Sequence, residues 1–549
     1  MLYCRPCISV YCSLVITYFP LTLLVCRVME QGGFGSPAFF LLLAISLASV
    51  LFLATLSKAR SGRRRLPPGP LSLPVIGHLH LLRPPVHQTL YRLATRHGPI
   101  FTLRLGSALC VIASSPDLAR ELFKTHDTAI SNRPQTAAAR HFAYDAAGFA
   151  FAPYGPYWRF VKRLCMSELL GPRTVDLLRP VRRVELLDLL RAVLDKSARR
   201  EPVDMSSEII KMTNNEVTRM AASTTSSGAG GETEEARELV KQVAELVGAF
   251  NIADYIGFCK NLDLQGLGKR VREVHRRFDA LMERIIRGKE EKRRRRKEMG
   301  CGGEDEVKDL LDILLDVAED DGAEMKLSRE NIKGFILDIF TAGSDSSAAT
   351  IEWGLAELIN HPKALEKVRE EIDRVVGKDR LVEETDLPNL PYLQAVMKET
   401  MRLHPAAPIA HRQTTKDIRV GGYDIPADTV LMVNLWAIGR DPSYWEDPLK
   451  FRPERFMSDA AAVDVRGQHF QILPFGSGRR GCPGMVLAMQ VVSVTVAAMV
   501  QSFEWEVVGG EAVGEGRVDM EEKEGMVAAR QHPLLLVPVA RLDPFPALA

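Results

Sequence analysis

The sequence predicts a mainly α-helical protein with a small β region and an N-terminal membrane anchor. Three observations carry this. Several long stretches repeat apolar residues at helical spacing, and only two short regions alternate as strands do. A run of 20 residues near the N-terminus holds no charge at all.

That run, residues 38–57 (AFFLLLAISLASVLFLATLS), is long enough to cross a bilayer as a helix. Lys58, Arg60, Arg63, Arg64 and Arg65 follow it, which predicts a cytosolic downstream chain. Residues 29–65 therefore form the anchor and its basic flank. A second apolar stretch lies at residues 8–26. Residues 1–28 are expected to be an upstream extension, with Met29 a sensible start, rather than a second span. Residues 66–77 (LPPGPLSLPVIG) read as a stiff, extended connector, because proline fixes φ and removes donors. Residues 78–549 form the main body of the chain.

Within the body, residues 100–114 read as a strand pair, and residues 115–126 open a helix with a Ser-Pro cap. Residues 328–362 form a very long helix that stops before Pro362. Residues 360–377 form another, stopped by Gly377, and residues 390–405 a third, closed by Pro405. Residues 418–434 read as strands around a Gly-Gly turn. Residues 222–235 are expected to be a flexible loop, and the charge run at 287–306 an exposed linker between helices.

The chain has 549 residues, 46% hydrophobic and 26% charged, ample for a large core. A net charge of +2 supplies no basic field, so no nucleic-acid partner is expected. The nine cysteines are irregularly spaced, with neither a disulfide framework nor zinc spacing, which suits a reducing compartment.

One cysteine stands apart. Cys482 lies in FGSGRRGCPG, just before a long apolar run. A thiol that ligates a metal must be a thiolate, and the N-terminus of a helix favours that charge. Pro483 suits the first helical position. Gly476, Gly478, Gly481 and Gly484 permit a tight turn against a flat partner, and Arg480 supplies a cation. A single axial thiolate implies haem. An isolated Cys-Pro would read as a structural cysteine, but here the full spacing F-x-x-G-x-R-x-C-x-G is present in Phe475, Gly478, Arg480, Cys482 and Gly484. It resembles the haem-binding loop of the cytochrome P-450 superfamily of haem-thiolate monooxygenases.

Further motifs stand in the order that family requires: YGPYWRFVKRLC, AGSDSS in the middle of the longest helix, KETMR, HPAAPIAHR and PERF. The resemblance runs from Leu66 to the C-terminus. It implies the cytochrome P-450 fold, haem b ligated by Cys482, and electrons from NADPH through cytochrome P-450 reductase. Asp345 and Ser346 would be the acid-alcohol pair that relays protons, where the family usually has threonine in place of Ser346. The helix would open around Gly343, next to the cofactor, to admit O₂. Trp158, Lys162, Arg412 and Arg480 would hold the haem propionates, with Arg159 a rival of Lys162, and Phe475 would lie against the cofactor. Glu399 and Arg402 share one helix face at i and i+3 and would join Arg455 in a buried triad. His411 is not expected to be a ligand.

The anchor and connector are similar to those of the plant microsomal type. This implies an endoplasmic reticulum membrane protein with one span in the lipid bilayer and a cytosolic catalytic domain. Residues 250–286 resemble the plant flavonoid-oxidising branch, which contains flavone synthase II, flavanone 2-hydroxylase and isoflavone synthase. The implied substrate is a flavanone attacked at C2, giving a 2-hydroxyflavanone or, by desaturation, a flavone. Its pocket would draw on Phe142, Phe149, Ala342, Ile409, Ala410, Met526 and Val527. An oxygen-independent haem-thiolate isomerase and a non-catalytic haem sensor are the other classes; Asp345 and Ser346 argue against the first.

Overall fold

The computed structural model describes residues 65–222, 230–260, 262–299, 308–457, 463–508 and 516–547. The expected anchor and the N-terminal extension lie outside these residues. Residues from Leu66 onward form one compact unit.

Helix α1 (Val86–His97) precedes strands β1 (Ile100–Leu105) and β2 (Ala108–Ala113), the expected hairpin. Six long helices follow: α2 (Pro156–Leu164), α3 (Arg179–Arg199), α4 (Met205–Ala222), α5 (Gly230–Gly248), α6 (Leu267–Glu298) and α7 (Arg329–Asn360). Then come α8 (Pro362–Val375), α9 (Pro391–Leu403), β3 (Ile409–Gln413), β4 (Val430–Asn434), α10 (Met485–Ser502), β5 (Phe503–Val507) and β6 (Leu535–Ala540). The largest sheet runs β1-β2-β4-β3, with β2 and β4 parallel and the other pairs antiparallel. Residues Ile418–Val420 and Tyr423–Ile425 pair around the Gly421-Gly422 turn, as expected.

Helix α7 crosses the centre of the unit and is buried along most of its C-terminal half. It begins with a reciprocal cap between Ser328 and Asn331. Its C-terminal half packs with α9 and α10 around Ile351, Leu355, Val396 and Val496, all fully buried. Helix α10 is apolar enough to span a bilayer by composition, yet most of it is buried in this core.

Two expectations change. The charge run at 287–298 is not a linker but the last turns of α6. Arg293 reaches Asp316 at 2.6 Å, Lys289 reaches Asp309 at 2.6 Å, and Glu291 pairs with Arg295 at i,i+4. Helix α5 starts at Gly230, inside the segment expected to be a loop. The Pro-rich segment bonds to the body: Thr102 N–H donates to Pro68 O at 2.7 Å, and Leu73 pairs with Gly77.

Candidate functional site

The loop before α10 is built as its glycines predict. Gly476 and Gly478 both take φ of +69°. A Cβ on Gly478 would stand 2.5 Å from Asp127 Oδ1, the carboxylate that accepts from Arg479. Cys482 N–H donates to Phe475 O at 2.9 Å, folding the loop back on itself. The helix begins at Met485, so Pro483 sits in the preceding turn rather than at the first helical position. Burial pushes the Cys482 thiol up, and the Gly484 N–H, Lys162 and Arg133 pull it back. The protein's own groups thus do not depress it, contrary to the expectation from the helix start; a bound metal cation would displace that proton.

Cys482, His411 and Ala342 all carry accessible surface. Cys482 and His411 nevertheless lie deep in the molecule, where burial perturbs both of their titrations. Arg133 acts on both titrations, so Cys482 and His411 border the same internal space. His411 is held near 4 by burial and by Arg133 and Arg412, so it is neutral at physiological pH.

Around this space the charge does not balance. Burial first, and Arg133 second, lower Arg412 and Arg480 to about 9 each. Arg133 makes no hydrogen bond or ion pair among the described residues. The buried Trp158 Nε1 has no acceptor. The Arg133 guanidinium and the orphaned Trp158 indole N–H, beside the charges of Arg412 and Arg480, fit two carboxylates, such as the propionates of haem. Arg133, in SNRP, escaped the sequence reasoning, because no periodicity marks it.

Arg480, Arg412 and Lys162 are engaged by main-chain carbonyls. Arg480 donates to Ser131 O at 2.7 Å, to Phe149 O and Ala150 O at 3.3 Å, and to Ala152 O. It therefore clamps the loop before α2 as well as lying over the Trp158 ring, 4.5 Å away. Arg412 donates to His411 O at 2.9 Å. Lys162 Nζ donates to Gly481 O at 3.0 Å, while its rival Arg159 is exposed beside Tyr154.

Across the space stands α7. The helix runs unbroken through residues 342–347, so the expected opening is not there; Ser346 Oγ bonds back to Ala342 O at 2.6 Å within the intact ladder. Asp345 is half-buried, and burial raises it; Lys241 and Glu245 of α5 face it. Gly343 departs from the expected cofactor contact. A Cβ there would meet Val217 Cγ2 at 3.0 Å, so the glycine serves the close approach of α4.

One turn earlier, Asp338 was not anticipated. It accepts Ala150 N–H at 2.8 Å and also the Phe149 N–H. Burial raises it to about 6, against the pull of those donors and of Arg133 and Arg480. Asp338 and Arg480 thus grip the same peptide segment from its two sides.

The triad is assembled. Arg402 makes a bidentate pair with Glu399 at 2.7 and 2.8 Å, and Arg455 Nε donates to Glu399 Oε1 at 3.0 Å. Arg402 also donates to Gly439 O and Pro448 O.

The expected pocket residues divide. Ile409 and Ala410 are partly open on β3, and Val527 is partly open. Met526 is 47% exposed and approaches Gly248 at the end of α5. Phe149 stacks on Trp158 at 5.6 Å. Phe142 departs from expectation: it is 2% exposed and belongs to the core beside His275.

The model of the family described as Cytochrome P450 matches residues 67–534. The chain belongs to the cytochrome P450 family. This P450 is 61% identical to rice "Cytochrome P450 93G1" over 489 residues, covering 89% of this chain and 92% of that one. It is 50% identical to soybean "3,9-dihydroxypterocarpan 6A-monooxygenase", covering 92% and 99%. It is 42% identical to "2-hydroxyisoflavanone synthase" of Glycyrrhiza echinata, covering 90% and 96%. These relatives place it among the plant P450s of the 93 group. A zebrafish cytochrome P450 structure with progesterone superposes with a TM-score of 0.69 at 24% identity, covering 83% of this chain and 100% of that chain, a likeness of fold. The P450 family uses haem b with electrons from NADPH through a reductase, and this P450 is accordingly a monooxygenase.

Proposed function

We propose that this P450 oxidises a flavanone at C2, as a flavanone 2-hydroxylase of flavonoid biosynthesis. The carrying observation is the donor set around Cys482, with His411 beside the same Arg133, in a chain whose relatives include a 2-hydroxyisoflavanone synthase and a pterocarpan 6A-monooxygenase. Haem, when bound, supplies oxygen activation at iron. Cys482 would hold the iron, and Arg133 and Trp158, with Arg412, Arg480 and Lys162 beside them, would meet its propionates. Glu399, Arg402 and Arg455 fix the scaffold behind it. For Ser346 to pass a proton, its hydroxyl must rotate off Ala342 O, and Asp345 is the adjacent acid that can reload it. Direct desaturation to a flavone shares the same first step and remains the second reading. A 46% identical relative, "Beta-amyrin 24-hydroxylase" of soybean, names a different substrate class to be tested alongside.

We place the enzyme at the endoplasmic reticulum membrane, with its catalytic domain cytosolic. Apolar side chains on the described surface support this: Leu71 is 92% exposed and Phe258 is 72% exposed. The turn between β1 and β2 links their two segments, since Gly106 N–H donates to Ile76 O and Ser107 N–H to Tyr255 O.

The deciding experiment supplies NADPH, a plant reductase and naringenin to microsomes carrying the protein. Mass analysis is expected to show gain of one oxygen. Loss of two hydrogens would favour desaturation. No flavanone turnover, with oxidation of a pterocarpan or a triterpene, would overturn the substrate assignment. Cys482→Ser is expected to abolish turnover and the sulfur-ligated, carbonyl-bound absorption band.

A further inference from the structure

We propose that Trp353 and Glu522 are positioning residues for substrate orientation, because together they seat the turn that carries Met526 and Val527 against α7. This rests on the reading above only in taking that turn as a wall of the substrate pocket.

The turn lies in a hairpin, residues 521–531, closed by the pairing of Glu522 with Arg530 and by Gln531 N–H donating to Glu521 O at 2.8 Å. It belongs to none of the long elements, so its position is set by side chains. Trp353, fully buried on α7, donates its indole N–H to Ala528 O at 2.8 Å. Ala528 N–H in turn donates to Ala406 O at 2.9 Å. Both main-chain polar groups of Ala528 are therefore taken up by the core. Glu522 holds the other end of the turn. Its Oε2 accepts from Gln88 at 2.8 Å and lies 2.6 Å from His87 Nε2, and its Oε1 accepts from Trp436 Nε1 at 2.9 Å. A carboxylate with three ring or amide partners on two other elements fixes the hairpin in rotation as well as in distance.

The two anchors are joined. The Trp353 ring stacks on His404 at 4.0 Å with the planes 5° apart. His404 Nε2 lies 2.8 Å from Glu357 Oε1, and its Nδ1 lies 3.9 Å from Glu522 Oε1. Along α7, Trp353, Glu357 and Asn360 fall at i, i+4 and i+7, on one face. Asn360 completes the row by pairing both ways with the Val518 main chain, at 2.8 and 2.9 Å. Asp345 and Ser346 lie on the same rigid helix, about two turns before Trp353. The helix that carries the acid-alcohol pair therefore also sets the height of the turn facing the substrate.

The test uses the haem-loaded enzyme with Trp353→Phe, which removes the donor but keeps a ring over His404, and Glu522→Gln, which keeps the shape but loses charge. Hydrogen exchange of the amides in residues 524–529 is expected to accelerate roughly tenfold in each, as loss of one buried hydrogen bond allows. The naringenin KM is expected to rise and the ratio of hydroxylated to desaturated product to shift, with haem content and the carbonyl-bound spectrum unchanged. Unaltered exchange would overturn the anchoring. Faster exchange with unaltered KM and product ratio would overturn the role in orientation. If Trp353→Phe does not fold, Glu522→Gln carries the test. If the parent enzyme does not oxidise naringenin, the substrate assignment falls; KM and product ratio are then read with the pterocarpan or triterpene it does oxidise, and the exchange measurement stands unchanged.

Discussion

At the scale of single residues, the site depends on groups that satisfy more than one neighbour. Asp338 is the clearest. It takes two partly buried N–H donors from residues 149 and 150 while standing near Arg133 and Arg480. Asp338→Ala would leave both donors unpaired, and each unsatisfied buried donor costs about 1–3 kcal/mol. Thermal unfolding of Asp338→Ala is expected at clearly lower temperature than that of Asp338→Asn, which retains one acceptor oxygen. Equal unfolding of the two would show that the carboxyl does not hold this loop. Nothing in local sequence marks Asp338, because its partners are nearly 190 positions away. Arg133 is hidden for the same reason. Cys482, Glu399 and Arg402 are legible because their chemistry is written in spacings of two to seven residues.

At the scale of elements, buried charges join helices that the chain separates. Glu399 ties α9 to the segment carrying Arg455, and both partners lean on main-chain carbonyls. Removing one member of a buried ionic group typically costs about 3–5 kcal/mol, because the remaining charges stay buried. Glu399→Ala is therefore expected to yield little haem-loaded protein, read as the reduced carbonyl-bound spectrum per mass of protein. Glu357 joins α7 to the starts and ends of its neighbours. Burial pushes its carboxyl up, but hydrogen bonds from His361 and His404 outweigh this and hold it at about 2. A carboxyl depressed in the fold stabilises it above the unfolded pKa of about 4.3, and that contribution is lost as pH falls towards 2. Acid unfolding between pH 4.5 and about 2 should become shallower in Glu357→Gln, and an unchanged acid limb would contradict the pairing. The elements themselves were mostly legible, since the caps at Ser328 and Ser115 and the stops at Pro362 and Pro405 are local signals. The end of α6 was not. A run of basic residues reads as solvated until Asp309, Asp312 and Asp316 are brought beside it.

At the scale of the whole molecule, the apolar surface near Leu71, Leu73, Val75, Phe258 and Leu264 predicts lipid contact in addition to any anchor. Protein lacking residues 1–65 is expected to co-sediment with phospholipid vesicles, and Phe258→Ser with Leu264→Ser to release it. Vesicle binding unaffected by the double substitution would refute that surface. The sequence by itself determined the helical class, the strand pairs, the thiolate loop and the Glu-Arg pair, because each is set by contacts between residues a few positions apart. Only the tertiary structure decided that Gly343 packs on Val217, that α7 stays unbroken at Ser346, that Arg480 doubles as a loop clamp, and that Arg133, Asp338 and Trp353 matter. Those outcomes turn on which distant groups share a low-dielectric interior, and burial together with the choice of partner is a property of the assembled chain.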